Sequence, residues 1–205
     1  MDDCGVGRQA MVCQVIGECA PSRRTATEIH LQRFVYFSQV AYGVPFGYRF
    51  KMHCYGPYSD RLWGDLTCLR DAGFLVSGHD PKTYELVFAT TPGAARLLEM
   101  VPSFVAEHTP KVKRASDVLS RGWDVEELAT GLFLWNGSRL FGHDPHAAAD
   151  QALQALVALR RCADAERAEA ALRELGRLGH IEIDGWRGPI DRVAQATDLV
   201  TSASA

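Results

Sequence analysis

The chain has 205 residues and is predicted to be a mainly helical α+β protein: a winged helix over residues 8–100, then a helical extension over 115–190. Three observations predict this. The order helix, helix, strand, helix, strand, turn, strand runs from Arg8 to Ala89. Gly73 stands where a leucine helix must reverse into a strand, and glycine accepts such a reversal without a Cβ clash. The run Gly78-His79-Asp80-Pro81-Lys82 separates two strand-like stretches, which is a hairpin signal. In a winged helix the third helix is the usual reading element, and the hairpin behind it is the wing.

Each element has its own warrant. Met11, Val12, Val15, Ile16 and Cys19 recur at helical spacing, with polar, frayed residues 1–7 before them and Pro21 as a stop. Thr25-Ala26-Thr27-Glu28 reads as a capping box. The next helix carries Ile29, Leu31, Phe34, Val35, Tyr36, Phe37 and Val40. It is apolar nearly all round and belongs in the centre of the core, ending near Gly43 and Pro45. Tyr48 to Met52 alternates and predicts a short strand, and Gly56-Pro57 predicts a turn. Ser59 caps a third helix with Leu62, Leu66 and Leu69 on one face. Phe74 to Val76 and Tyr84 to Ala89 form the hairpin. Thr91-Pro92 opens a fourth helix.

Residues 101–114 read as an irregular linker with the basic cluster Lys111, Lys113 and Arg114. Asp124 leads into a helix with Leu128, Leu132, Phe133 and Trp135. Asp144-Pro145 starts an Ala-rich helix reaching about Cys162. Asp164 caps a last helix with Leu172, Leu175 and Leu178, and His180 to Asp184 reads as a short strand. Residues 191–205 form a tail, disordered at Thr201 to Ala205. Leu172, Leu175, Gly179 and Ile181 echo Leu66, Leu69, Gly73 and Leu75. Two explanations stay open: the extension is a degenerate second winged helix, or two helices merely stop alike.

Composition narrows the function classes. Hydrophobic residues make up 47% and charged residues 23% of the chain, ordinary for a globular protein. The net charge is −3, so no basic surplus of the kind that wraps nucleic acid is present, and a DNA surface would have to be local. Residues 1–114 hold 13 Lys/Arg against 11 Asp/Glu, and residues 115–205 hold 9 against 14. The first part is therefore the better place for an anion. The six cysteines, Cys4, Cys13, Cys19, Cys54, Cys68 and Cys162, form no C-x-x-C pair and are expected to be buried reduced thiols. No signal peptide is visible, Arg23-Arg24 precedes no apolar export segment, and no apolar run reaches the ~20 residues that span a bilayer. A cytoplasmic location with no membrane contact is expected.

The stretch His30-Leu31-Gln32-Arg33-Phe34-Val35-Tyr36-Phe37-Ser38-Gln39 is followed by Tyr55-Gly56-Pro57-Tyr58-Ser59. After these come Leu62, Asp65-Leu66, Leu69 and Gly73-Phe74-Leu75. Together they resemble the YwgA-like uncharacterised proteins of bacteria and archaea and, more loosely, the SocA-like Panacea antitoxin domain. Both have a leucine-glutamine-lysine helix start and a Tyr-Gly-Pro turn before a leucine helix. The likeness covers about residues 25–78; Trp123 to Trp135 and Ala171 to Ile181 resemble the later YwgA-like pattern more faintly. Arg33 stands where the family usually has lysine, and Asn136 to His146 departs from it. The YwgA-like family has no settled activity to carry over. The Panacea likeness implies toxin neutralisation or phage-linked defence.

Candidate functional residues fall into two groups. Arg61 and Arg70 point outward on the third helix, with Lys82 on the wing and Arg49 and Lys51 on the preceding strand. Cations suit phosphate, but Asp60, Asp65 and Asp71 repel it, so this helix is a mediocre reader. Tyr55 and Tyr58 flank a rigid proline, and aromatic anchors favour protein interfaces; packing on the central helix explains the same letters. The acidic extension can pair with a partner protein or a second copy. His143-Asp144-Pro145-His146 supplies too few local ligands for zinc, and Asp144 as a helix cap explains it better. Walker, nucleophile-elbow, H-E-x-x-H and dinucleotide motifs are absent. No catalysis, cofactor or metal is expected. The expected function is a regulatory or antitoxin-like protein acting through DNA or protein binding, with a DNA-free interaction module and an unrecognised enzyme as rivals.

Overall fold

Eight helices and two small antiparallel hairpins make up the described part of the chain, residues 3–19 and 26–188 of a computed structural model. The fold is mainly helical α+β. Two compact units divide it, Met1–Ala129 and Thr130–Ala205.

The first unit begins with α1 (Asp3–Cys19) and α2 (Glu28–Tyr42). Helix α1 starts earlier than expected, and residues 3–7 belong to it. Gly7 lies within it and leaves room for Phe104, since a Cβ there would stand 3.1 Å from that ring. The expected stop at Pro21, the arginine pair 23–24, the cap role of Thr25 and the tail at 191–205 lie outside the described residues. The capping box is corrected in any case. The N-cap of α2 is Thr27, whose Oγ1 accepts from His30 N at 3.1 Å. Glu28 is thus the first helical residue, two positions before the third helical position from which a capping-box carboxylate reaches back. Helix α2 is central, as its apolar run predicts: Leu31 through Ser38 are all buried. Val40 departs from this and is 40% exposed.

Strands β1 (Lys51–His53) and β2 (Gly56–Tyr58) pair antiparallel, with Met52 opposite Pro57. The strand therefore starts later than expected, at Lys51. The turn is Cys54-Tyr55, and Gly56-Pro57 lie in β2. Proline is tolerated there because a two-stranded ribbon leaves one backbone edge unpaired. Helix α3 (Asp60–Asp71) follows, with Leu62, Leu66 and Leu69 buried. Ser59 holds its N-cap position without a side-chain cap bond. Gly73 takes the reversal at φ +77°. Then β3 (Leu75–His79) and β4 (Leu86–Thr90) pair over five residues, Leu75 with Thr90 through His79 with Leu86.

Helices α4 (Gly93–Glu99) and α5 (Pro102–Ser120) complete the unit with the start of α6 (Val125–Leu140). The expected irregular linker 101–114 is instead the first two thirds of α5, which packs on α1 and α2. His108, Val112, Ala115 and Leu119 recur at helical spacing and are buried. Pro110 is tolerated because it and Ala106, whose carbonyl loses its partner, face solvent.

The second unit continues α6 and adds α7 (Pro145–Ala158) and α8 (Ala165–Arg177). Helix α7 stops short of the expected Cys162. Its Asp144 cap accepts from His146 N and Ala147 N, both at 3.0 Å, with Pro145 in the first turn. Asp164 likewise caps α8, accepting from Arg167 N at 2.8 Å. Gly131 leaves room for Leu156, Leu172 and Leu175. The expected strand at 180–184 is absent. A strand needs a partner edge, and none is described here. Side chains hold this stretch instead: His146 Nε2 lies 3.0 Å from Asp184 O, and Trp186 Nε1 donates to Asp150 Oδ1 at 3.0 Å. Among the described residues no helix is long and apolar enough to cross a membrane.

Candidate interaction site

Helix α2 carries a row of polar side chains that grip the chain between residues 48 and 59. Gln39 makes two bonds to one residue: Tyr48 N donates to its Oε1 and its Nε2 donates to Tyr48 O, both at 2.9 Å. Gln32 does the same at the other end. Ser59 N donates to its Oε1 at 2.8 Å, and its Nε2 donates to Ser59 O at 3.2 Å. The two glutamines are seven residues apart, about 10 Å along the axis on nearly one face. Each primary amide completes the backbone of an extended residue as a neighbouring strand would. Between them, Arg33 Nε donates to Tyr55 O at 2.6 Å, and its other end pairs with Glu126 at 3.1 Å. This gives physical content to the Leu31-Gln32-Arg33 start and the Tyr-Gly-Pro run: they meet.

The grip holds the β1–β2 hairpin just off the helix and leaves a cleft of about 220 Å³. Glu28, Ile29 and Gln32 form one wall, and His53, Tyr55, Pro57 and Tyr58 form the other. The His53 ring lies 6.0 Å from that of Tyr55 and 5.3 Å from that of Tyr58. Tyr55 is 53% exposed at the rim, and Tyr58 is half-buried. The structure thus brings both candidate tyrosines to one cleft. Burial raises the Glu28 carboxyl above the usual carboxylate range, opposed by the Gln32 hydrogen bond and by His53. Burial, with the charges of Glu28 and Asp60, also raises the Tyr58 phenol.

Two of the five candidate cations stand beside a carboxylate. Lys51 Nζ pairs with Asp60 at 2.7 Å, and Arg70 with Asp71 at 2.9 Å. Such exposed pairs contribute little to stability, about 0–1 kcal/mol, but they place a carboxylate beside each cation. Arg49 and Arg61 are exposed, with no ion pair seen among the described residues. Lys82 is exposed at the β3–β4 turn, where its N–H donates to Asp80 Oδ1 at 2.8 Å.

Asp65, counted outward by helix spacing, is corrected: it is buried and accepts from Arg8 Nε at 2.8 Å and the Tyr48 hydroxyl at 2.7 Å. Burial, reinforced by Asp65, pushes the Tyr48 phenol above its ordinary value. The cysteine expectation is also corrected. Cys13 and Cys19 are buried, and burial pushes the Cys13 thiol up to about 12, but Cys54 and Cys68 are exposed. Among the described residues no three His, Cys, Asp or Glu side chains are grouped to hold a metal.

Sequence reasoning missed Glu28, Ile29, Gln32 and His53 as cleft residues. Sequence spacing puts Glu28 in a cap and Ile29 in the core. The one signal that connected the two walls was the pairing of the Leu-Gln-Arg start with the Tyr-Gly-Pro run. No protein-family model matches the chain, and no curated protein matches it.

Proposed function

We propose that the chain is a non-enzymatic binding protein built on a winged helix and that it acts on a protein partner. Support for the winged helix comes from the pair before α2. Thr27 bridges Val87 of β4 antiparallel, and Phe88 N donates to Ala26 O at 3.0 Å. The order is then α1, a short extended pair, α2, α3, β3, β4, with the β1–β2 hairpin as an insertion before α3. The likeness of residues 25–78 to YwgA-like proteins and the Panacea domain supports a regulatory or antitoxin-like role, and the missing catalytic motifs support a role without chemistry.

The observation that carries the choice of a protein partner is the contrast between α3 and the cleft. Asp60 and Asp71 stand on the reading helix, paired with Lys51 of β1 and with Arg70, and repel phosphate. Beside it, two tyrosines and an imidazole line a concave surface, which suits protein contact. DNA is the second reading, favoured by the exposed Arg49 and Arg61. Anisotropy of a labelled duplex at about 50 and 200 mM salt separates the two, since the salt slope counts phosphate contacts. No salt-dependent association is expected. A steep slope abolished by the triple variant Arg49→Ala, Arg61→Ala, Lys82→Ala would move the function to DNA.

A further inference from the structure

We propose that the cleft between α2 and the β1–β2 hairpin receives one basic side chain, a lysine ammonium or arginine guanidinium, from the partner protein. This deepens the protein-partner reading and rests on it.

The size comes first. At about 220 Å³ the cleft is smaller than the ~300–1,000 Å³ of drug-sized ligand sites, so it suits a single side chain.

The charge comes second. Glu28 is the one full negative charge in the lining, and no lysine or arginine among the described residues lines it. The hydrogen bond that Glu28 accepts, from Gln32 Nε2, is long at 3.4 Å, so most of its acceptor capacity is open. Of the donors that an anion could use, the Gln32 amide is committed to Ser59 and Glu28, and Pro57 has no N–H. Arg33, next to Gln32 on α2, is held between the Tyr55 carbonyl and Glu126.

The rings come third. Tyr55, Tyr58 and His53 surround the same space. Aromatic faces attract cations, more strongly when water is excluded. A carboxylate beside two tyrosines therefore selects a cation carried on an apolar stem, which Ile29 and Pro57 can cover. The exposed Tyr55 ring at the rim gives the rest of the partner a flat aromatic contact.

The test is an NMR titration of the full chain with N-acetyl-arginine methylamide and N-acetyl-lysine methylamide, beside the neutral isostere N-acetyl-citrulline methylamide. The expected result is saturable shifts at Ile29, His53, Gly56 and Tyr58 with the cationic probes. Affinity is expected to fall about tenfold or more with citrulline and in Glu28→Gln. Glu28→Gln keeps an acceptor for Gln32, so an unchanged spectrum away from the cleft certifies its fold. Tyr55→Ala, at an exposed site, is expected to weaken binding by a smaller factor. Equal shifts from citrulline, affinity unchanged in Glu28→Gln, or no shifts at the solubility limit of the probes would overturn the proposal. Tighter binding of free putrescine than of either blocked residue would also overturn it, by pointing to a small amine. The probes carry no nucleic acid, so failure here leaves the anisotropy result untouched, and DNA binding there would remove the partner reading without altering a cation seen in the cleft.

Discussion

The two hairpins of the first unit are held in opposite ways. The β3–β4 hairpin is a five-residue ladder whose turn is closed by its own Asp80, accepting from Lys82 N at 2.8 Å and Thr83 N at 3.0 Å. The β1–β2 hairpin has three paired positions, and a two-stranded ribbon is marginal by itself in water. It is carried by α2, through bonds that span 9, 22 and 27 residues of sequence. A turn closed by its own aspartate is a local device, even though the ladder behind it also meets Ala26 and Thr27. A hairpin clasped by side chains from elsewhere is placed by the core, and its position can shape a cleft.

The largest effect should come from breaking the anchor beneath the clasped segment. Asp65→Ala removes the partner of buried Arg8 and of the Tyr48 hydroxyl. Leaving a buried charge unpaired typically costs about 3–5 kcal/mol, and urea denaturation should show a loss of that order. Next in size, Gln32→Ala leaves the buried Ser59 N–H without its acceptor. A loss of about 1–3 kcal/mol is expected, with faster hydrogen exchange at Tyr58 and Ser59 while the β3–β4 amides keep their protection. Equal loosening of both hairpins would sink the contrast between them.

The β3–β4 turn should respond to acid. The N–H groups of Thr83 and Lys82 hold the Asp80 carboxyl below its ordinary value. Its folded pKa is depressed, so its contribution is present above the unfolded value of about 3.9 and is lost as pH falls through the lower folded value. Amide shifts of Lys82 and Thr83 should move in that window below pH 4, with the β1–β2 amides unmoved. The smallest effect belongs to Tyr84, at φ 59° and 79% exposed. Tyr84→Gly removes left-handed strain at the cost of a freer unfolded chain. A change within about 1 kcal/mol is expected. A larger loss would show that the Tyr84 ring supports the β3–β4 hairpin.

Some of this was legible in the letters. The buried run of α2, the leucine face of α3, the reversal at Gly73 and the caps at Asp144 and Asp164 each depend on residues a few positions apart. The failures share a cause. Pro102, Pro110 and a basic cluster hid α5, because its buried face at His108, Val112, Ala115 and Leu119 has meaning only against α1 and α2. The letters at 180–184 suited a strand, but the described neighbours are helices and side chains. Asp65 looked outward by helix spacing, yet Arg8 of α1 and Tyr48 draw it inside.

The candidate site divides along the same line. Both tyrosines and the run that holds them could be named from the sequence, and so could the lack of a basic surplus. That Lys51 stands against Asp60, and that Glu28 faces Tyr58 across a cleft, depended on how α2 receives the hairpin.

The sequence by itself determined the central helix, the leucine face of α3, the reversal at Gly73 and the caps at Asp144 and Asp164, since these follow from spacing and from the local hydrogen-bonding habits of Gly and Asp. Only the tertiary structure decided that α5 joins the first unit, that residues 180–184 are not a strand, and that a glutamine at each end of the hairpin completes its backbone. Those outcomes rest on bonds and contacts between residues far apart in the chain, which no local period encodes.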